Sequence, residues 1–235
     1  MSDSKNALSK LPRDRLLAEY SLWSANLVRM ADDIERVDEY VDIYHADVAD
    51  GQFSPALLLF PDLMAQVRTL TKKPIHVHLM VADNVLFDQI DQFAESGADI
   101  ISIHAENSNM NEGLDRILAK GASAGVVMQL HTPVEEANAW LDRIDILTLL
   151  GTKMGIKGVG LDPSAEARLE NARSLIDAHA GEKRILLAAD GGIREHTVPG
   201  LRHSGADTIV MGSLAFGADN LADRMNWVHG LAAQG

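Results

Sequence analysis

The chain has 235 residues, no cysteine and a formal net charge of −13 at pH 7. Its 46% hydrophobic and 23% charged residues are an ordinary globular composition, and the length suits one large hydrophobic core. The negative charge argues against a nucleic-acid or membrane-surface binder, because both partners are polyanions. The lack of cysteine excludes disulfides and cysteine zinc sites, which leaves His, Asp and Glu as metal ligands.

The N-terminal run of residues 1–6 is polar, and no segment approaches the roughly 18 uninterrupted apolar residues of a membrane span. We therefore expect neither a signal peptide nor a membrane segment, and we expect a cytoplasmic protein. The chain also lacks a proline-rich or serine-rich linker. This predicts one domain over residues 1–235, with residues 1–17 as an N-terminal lead-in.

Eight apolar segments typical of β-strands alternate with amphipathic segments. The predicted strands span residues 20–24, 42–48, 75–80, 100–104, 124–130, 144–150, 184–189 and 208–211. Helical spacing of apolar residues predicts helices between them, such as 27–41, 61–70, 85–96 and 165–179. A Gly-Ala-Asp sequence recurs at 97–99 and 205–207, each time before a strand. Strict alternation implies parallel strands, and eight repeats favour an α/β fold of the closed (β/α)8 TIM-barrel type over an open sheet.

Three predicted strands end in side chains that suit acid/base or metal chemistry. Residues two apart on a strand share a face, so His45 lies beside Asp47 and His76 beside His78, while Asp190 ends the seventh strand. The carboxyl ends of barrel strands form the active site. Asp47 and Asp190 are then expected to approach a ligand on the barrel axis from opposite sides. That geometry suits removal of a proton from one face of a carbon and its return to the other.

His45 and His78 complete four nitrogen and oxygen ligands with these two carboxylates, a set that suits zinc and accepts manganese or ferrous iron. A metal there would act as a Lewis acid on a carbonyl and stabilise an enediolate. His76 lies one layer deeper, which favours a supporting or core role over ligation. His104 and Glu106 end the fourth strand and fit a polar barrel mouth as well as a catalytic role.

Glycine-rich loops follow the last three predicted strands. The loop after the sixth strand contains Gly151 and the sequence Gly155, Ile156, Lys157 and Gly158. The loop after the seventh contains Gly191 and Gly192, and the loop after the eighth contains Gly212 and Ser213. Glycine lets backbone N–H groups approach an anion closely, and barrels often bind phosphate at these loops. Three such loops predict a phosphate site. Lys153 and Lys157 either add positive charge to it or are simply solvated.

In order and content, these motifs resemble the ribulose-phosphate 3-epimerase family over residues 21–216. The stretch 21–25 resembles its first-strand serine segment, and 45–51 resembles its His-x-Asp-Val-Met-Asp-Gly. The stretch 78–80 resembles its His-Leu-Met, 190–193 its Asp-Gly-Gly-Ile, and 212–213 its phosphate-binding Gly-Ser.

The resemblance implies a TIM barrel of the ribulose-phosphate-binding type that inverts C3 of a small phosphorylated ketose. It implies one divalent metal ion, zinc before manganese or iron, on His45, Asp47, His78 and Asp190, with Asp47 and Asp190 also the catalytic acid/base pair. The residues implied to contact the substrate are Ser21, His78, Gly155, Ile156, Lys157, Gly158, Asp190, Gly191, Gly192, Gly212 and Ser213.

The chain departs from the family pattern near the expected substrate. Ala49 and Leu150 stand where the family usually has methionine, and Ala56 replaces a common asparagine. Residues 153–159 replace the usual Asn-Pro-Gly-Phe-Gly-Gly-Gln, and His76 stands where the family often has aspartate. These departures leave the acid/base pair intact and put the identity of the sugar in question.

The leading hypothesis is a metal-dependent ketose-phosphate 3-epimerase that converts D-ribulose 5-phosphate to D-xylulose 5-phosphate through an enediolate, as in the pentose phosphate pathway. Allulose 6-phosphate or a tetrulose phosphate are alternative substrates. Two other classes stay open: a different lyase or isomerase on a phosphate-binding barrel, and a sugar-phosphate-binding protein without turnover. No nucleic-acid or membrane partner is expected, and barrels of this kind often form homo-oligomers.

Overall fold

The computed structural model describes residues 8–179 and 183–232, so residues 1–7 of the predicted lead-in lie outside it. Eight parallel strands form a closed barrel in chain order, and the first strand also pairs with the last. The strands are β1 Leu17–Ser21, β2 Ile43–Ala49, β3 Ile75–Met80, β4 Ile100–His104, β5 Ser123–Met128, β6 Ile146–Leu150, β7 Leu186–Asp190 and β8 Thr208–Met211. The predicted (β/α)8 TIM barrel is thereby confirmed.

Eight α-helices accompany these strands within the described residues. They are α1 Met30–Val37, α2 Pro61–Leu70, α3 Asp83–Glu95, α4 Met110–Ala119, α5 Ala165–Ala178, α6 Val198–His203, α7 Ser213–Phe216 and α8 Leu221–His229. The helix termini before β4 and β8 use Gly97 and Gly205, whose φ angles of 98° and 102° are left-handed. Among the described helices, none has the length and apolar character to cross a membrane.

The bounds of several predicted elements shift by a few residues, and two differences are of another kind. Strand β1 ends at Ser21, and residues Leu22–Ser24 form a 3₁₀ turn, so the strand lies three residues earlier than the apolar run suggested. It therefore begins at Leu17, the last residue of the predicted lead-in. Between β5 and β6 the described chain has a 3₁₀ helix, Val134–Ala139, rather than an α-helix. Pro133, whose ring fixes φ, precedes this short connection.

The barrel interior is built in layers, because every second residue of a strand points inward. The layer nearest the amino ends is apolar and consists of Leu17, Ile43, Ile100, Ile146 and Leu186, against which Leu11 packs. The next layer is polar, and its buried members include Glu19, His45, His76, Ser102, Thr148 and Thr208. Above it, at the carboxyl ends, lie Ser21, Asp47, His78 and Asp190.

An aspartate precedes each even-numbered strand and accepts a backbone N–H from the preceding odd-numbered strand. The N···O distances are 3.0 Å from Ala18 to Asp42, 3.0 Å from Ile75 to Asp99, 3.2 Å from Ala124 to Asp145 and 2.9 Å from Leu187 to Asp207. A basic side chain pairs with each carboxylate: Arg15, Arg68, Lys183 and Arg173, in the same order. These contacts connect the amino ends of neighbouring strands, at the barrel end opposite the candidate site.

The Arg15–Asp42 pair is bidentate, with N···O distances of 2.8 and 2.7 Å. Burial alone would raise the pKa of Asp42, but the hydrogen bonds from Arg15 and the Ala18 N–H, together with His229 Nε2 at 3.7 Å, outweigh it and lower the pKa to about 2. A carboxyl group whose pKa is lower in the folded state than in the unfolded state stabilises the fold above the unfolded pKa. That stabilisation is lost as pH falls towards the folded pKa.

Asp42→Asn should lower the free energy of unfolding by about 2 kcal/mol near neutral pH, since a pKa unit corresponds to about 1.4 kcal/mol. The difference from wild type should persist down to about pH 5 and shrink as pH falls from about 4 towards 2. Urea unfolding across this range measures it, with exposed Asp219→Asn as the control. A difference that stays constant to about pH 3 would contradict an ionised, paired Asp42.

Candidate metal and substrate site

Four side chains predicted from the sequence meet at the carboxyl ends of β2, β3 and β7. His45, Asp47, His78 and Asp190 each offer a ligand atom, and these atoms lie within 4.8 Å of one another. Asp47 Oδ1 is 3.4 Å from His45 Nε2 and 3.5 Å from His78 Nδ1. The same Nδ1 lies 3.5 Å from Asp190 Oδ2. The four residues therefore face one common point.

Two nitrogens of this group lack hydrogen-bond partners. His45 Nε2 and His78 Nδ1 are buried, and neither makes a hydrogen bond in the described part of the chain. A buried polar atom without a partner is costly, so such an atom needs an explanation. Two imidazole nitrogens and two carboxylates are a donor set that divalent transition metals prefer. The group can therefore hold a metal ion.

Asp47 is held from the side opposite the histidines. The Ser21 hydroxyl donates to Asp47 Oδ2 at 2.8 Å, which leaves Oδ1 facing the two imidazoles. Burial alone would raise the pKa of Asp47, but His45 and His78 outweigh it and hold that pKa far below its ordinary value. Asp47 is thus an ionised carboxylate of fixed orientation.

Glu19 lies beneath the group, fully buried in the barrel. Its Oε2 is 2.9 Å from His45 Nδ1 and 2.8 Å from His76 Nδ1, and its Oε1 accepts from the Thr208 hydroxyl at 3.2 Å. Burial raises the pKa of Glu19, but the two histidines lower it by more, so it stays ionised. His76 Nε2 meets Ser102 Oγ at 2.6 Å. His76 therefore lies outside the group of four, in the supporting position that its depth suggested.

A second chain of contacts runs from His78 towards the barrel mouth. His78 Nε2 lies 2.9 Å from His104 Nε2, and His104 Nδ1 lies 3.0 Å from Glu106 Oε2. Glu106 also accepts hydrogen bonds from the Gln129 N–H and the Thr132 hydroxyl. Burial lowers the pKa of His104 to about 4, so its ring is neutral at neutral pH. His104 and Glu106 thus orient His78.

A cavity of about 430 Å³ opens above Asp47, His78 and Asp190. Its lining includes every predicted substrate residue: Ser21, His78, Gly155, Ile156, Lys157, Gly158, Asp190, Gly191, Gly192, Gly212 and Ser213. His45 does not belong to the lining and lies deeper, buried beneath Asp47. The predicted phosphate loops and three of the four predicted metal ligands therefore meet in one cavity, with His45 beneath it.

Gly191 and Gly192 form a turn that other residues cannot easily make. Their φ angles are 87° and 72°, and a Cβ on Gly192 would lie 2.8 Å from Leu161 Cα. The Gly151 N–H donates to the Asp190 carbonyl at 2.6 Å, which joins the loops after β6 and β7. The backbone of these loops is consequently held close to the cavity.

Several lining residues went unpredicted, including Trp23, Met80, Thr152 and Arg194. The Lys157 ammonium donates to the Trp23 carbonyl at 2.5 Å and lies 4.9 Å from the centre of its ring. Lys157 thus connects the loops after β6 and β1. Glu19 was also missed, although its parity with Ser21 on one strand places it on the inward face.

The sequence model of the ribulose-phosphate 3-epimerase family matches residues 17–216. This chain belongs to that family. It is 31% identical to the ribulose-phosphate 3-epimerase of Bacillus subtilis over 212 residues, covering 89% of this chain and 96% of that protein. It is 33% identical to ribulose-phosphate 3-epimerase 1 of Cupriavidus necator over 202 residues, covering 84% and 83%. Family membership confirms the predicted class of isomerase.

Two solved structures share the fold of this family member. The orotidine 5'-phosphate decarboxylase of Pyrococcus horikoshii superposes with a TM-score of 0.63 at 16% identity, covering 90% of this chain and 97% of that one. A 3-hexulose-6-phosphate synthase superposes with a TM-score of 0.64 at 15% identity, covering 91% and 98%. At these identities the likeness shows the barrel alone.

A divalent ion should raise the Tm of chelator-treated protein, because a ligand that binds the folded state stabilises it. At a free Zn²⁺ or Mn²⁺ concentration about 100 times Kd, the gain is about 2.7 kcal/mol, or roughly 5–10 °C for a chain of this size. His78→Gln should lose most of the gain, and exposed His203→Gln should keep it. An equal rise in His78→Gln would place the ion elsewhere.

Proposed function

We propose that this protein is a divalent-metal-dependent ketose-phosphate 3-epimerase whose main substrate pair is D-ribulose 5-phosphate and D-xylulose 5-phosphate. The observation that carries the proposal is the placement of Asp47 and Asp190. Their strands, β2 and β7, are separated by β8 and β1 around the barrel. Both carboxylates nevertheless lie 3.5 Å from the same nitrogen, His78 Nδ1, at the base of the cavity. The name of the Bacillus subtilis relative supports the substrate.

The two carboxylates have opposite tasks in this proposal. One removes the C3 proton of a ketose that lies between them, and the other returns a proton to the opposite face of the planar enediolate. The roles exchange when the reaction runs in reverse. Ser21 favours this chemistry because its hydroxyl fixes the orientation of Asp47. General acid/base groups placed in this way contribute about 10²–10⁴ to a rate.

His45, Asp47, His78 and Asp190 are the residues that would hold the metal. When bound, a divalent ion supplies Lewis-acid stabilisation of negative charge on the substrate oxygens beside the reacting carbon. Zinc suits two imidazoles and two carboxylates, and manganese or iron also suit them. Zinc as the native ion stays a prediction, as do self-association and the cytoplasmic location.

The phosphate is proposed to bind at the loops after β6, β7 and β8. Gly191, Gly192, Gly212 and Ser213 line the cavity on that side, and backbone N–H groups at such turns bind anions. Lys153, Lys157 and Arg194 also line the cavity and give it positive charge in an acidic protein. This local charge allows a chain with a net charge of −13 to bind an anion.

A different ketose phosphate is the second candidate substrate. Leu150, Met154 and Ile156 line the cavity, and they belong to the segments that depart from the family pattern. In this proposal these side chains lie beside the sugar and take no part in the proton transfer. Allulose 6-phosphate or a tetrulose phosphate would use the same chemistry with a different chain length.

In deuterated water, the wild-type enzyme should epimerise its substrate with incorporation of deuterium at C3. Asp47→Asn and Asp190→Asn should each lower epimerisation by at least about 10³-fold, because each removes a proton-transfer group. Proton NMR follows both the exchange and the inversion.

The control is Asp62→Asn, an exposed carboxylate of α2, which should keep wild-type turnover. Undiminished epimerisation by Asp190→Asn would contradict the two-aspartate mechanism. Binding of the sugar phosphate by the wild type without any exchange would instead identify a non-catalytic binding protein.

A panel of tetrulose, pentulose and hexulose phosphates should show the highest kcat/KM for the pentulose. Lys157→Met should raise KM for each active substrate by about 3–10-fold, because it removes one cation from the proposed phosphate site. A charge-assisted contact of this kind is worth about 1 kcal/mol or more. The exposed Lys72→Met variant is the matched control. A hexulose or tetrulose preferred over the pentulose would reassign the substrate but leave the reaction class in place.

A further inference from the structure

A fully buried carboxylate below the ligand group has no role in the proton transfer described above. Glu19 is inaccessible to solvent, and its nearest polar neighbours are His45, His76 and Thr208. Burying an ionised carboxylate is expensive unless several hydrogen bonds compensate. In the part of the chain that the structure describes, no lysine or arginine pairs with it. Three donors on three different strands therefore hold this charge inside the barrel.

The hydrogen positions in this cluster follow from the chemistry of its members. A carboxylate only accepts hydrogen bonds, so both Nδ1 atoms at Glu19 Oε2 must carry a hydrogen. A neutral imidazole with a hydrogen on Nδ1 has a lone pair on Nε2. For His76, that lone pair accepts the Ser102 hydroxyl at 2.6 Å. For His45, Nε2 faces Asp47 and has no hydrogen-bond partner, and in the neutral form of the ring that binds a metal this atom carries the lone pair.

We infer that Glu19 is a positioning residue that fixes the tautomer and ring orientation of His45, so that Nε2 points at the metal site. This inference rests on the metal site of the proposed function. Metal-binding histidines commonly donate their second N–H to a carboxylate or carbonyl, and loss of that partner weakens metal binding. Glu19 acts through His45 and does not itself belong to the group of four.

His76 has the complementary task of holding Glu19. Its Nδ1 donates to the same Oε2 as His45, and its other nitrogen is occupied by Ser102. The ring is fully buried and lies 4.9 Å from the His45 ring, centre to centre. Thr208 restrains the second oxygen. The carboxylate is therefore fixed at both oxygens before any ion binds.

The arrangement at His78 is a parallel case within the same chain. Its ring is oriented by His104 and Glu106 at the opposite nitrogen, with Nδ1 left facing the site. Each proposed histidine ligand thus has a carboxylate behind it, either directly or through one more imidazole. This recurrence supports an orienting role over a purely structural one.

An alternative is a second metal ion bound by Glu19, His45 and His76, because one ligand atom from each lies within 4.8 Å of the others. Hydrogen bonds among these three side chains are better supported than a second ion. Both nitrogen-oxygen distances are 2.8–2.9 Å, and the remaining atoms of Glu19 and His76 are already paired. A second ion would moreover be enclosed in the barrel between an apolar layer and the first site. Stoichiometry distinguishes the two cases.

The test uses Glu19→Met, which keeps the length of the side chain without an acceptor, and Glu19→Gln, which keeps one acceptor oxygen. Thr148→Val is the matched control, since its buried hydroxyl lies in the polar layer and has no hydrogen-bond partner among the described residues. Chelator-treated full-length protein is titrated with Co²⁺ and Zn²⁺. The readouts are Kd by chelator competition, ions bound per chain and the visible absorption of bound Co²⁺.

Wild type should bind one ion, and Glu19→Met should raise Kd by about 10–100-fold with an altered Co²⁺ spectrum. Glu19→Gln should fall between the two, because its amide oxygen can still accept both N–H groups. Thr148→Val should match wild type. A purely structural role would lower Tm without changing the Co²⁺ spectrum.

Wild-type affinity and spectrum in both Glu19 variants would overturn the inference and leave the metal site standing. If Glu19→Met fails to fold, Glu19→Gln provides the test. A raised Kd with a shifted Co²⁺ spectrum in that variant supports the inference, and a wild-type Kd and spectrum overturn it. Two ions in wild type, with one lost in Glu19→Gln, would also overturn it. No bound ion in wild type would overturn the proposed metal site and this inference together.

Discussion

The closed interior of the barrel is the constraint on which the site depends. Side chains that point inward have no access to bulk water, so polar groups there must satisfy one another. The Glu19 carboxylate, the imidazoles of His45 and His76 and the Ser102 hydroxyl do this with one consistent set of hydrogen positions. One nitrogen, His45 Nε2, is left without a hydrogen-bond partner among the described residues and faces Asp47. The polar layer thus holds the His45 ring with Nε2 towards the group of four.

Much of this arrangement could be predicted from sequence because strand periodicity is a local property. The bounds of β3, β4 and β8 were predicted as the structure has them. Period-two alternation placed His45 with Asp47, and the barrel topology brought them to Asp190. The end of β1 was predicted wrongly because Leu22 and Trp23 are apolar yet form a turn. Hydrophobicity alone does not distinguish a strand residue from a buried turn residue.

The supporting shell could not be predicted because it depends on contacts between distant segments. Glu19 reaches His76 across 57 residues and Thr208 across 189. Sequence shows that each side chain points inward, but not which oxygen meets which nitrogen. For the same reason, the sequence did not distinguish a polar residue at the barrel mouth from a catalytic role for His104. Its contact with His78 joins side chains from two strands and is visible only in the structure. The four proposed ligands were recognisable by motif, whereas their hydrogen-bond partners required geometry.

The four aspartates before the even-numbered strands divide the molecule into two ends with different tasks. Each joins a pair of strands through a backbone N–H and a basic partner, far from the cavity. The residues that join the strands at that end and the residues proposed to contact a sugar are therefore separate sets. The loop at 153–159 lies at the cavity end and contains none of these aspartates or their basic partners. In such an architecture, substrate preference can change through the cavity loops without a change in the contacts that hold the strands together.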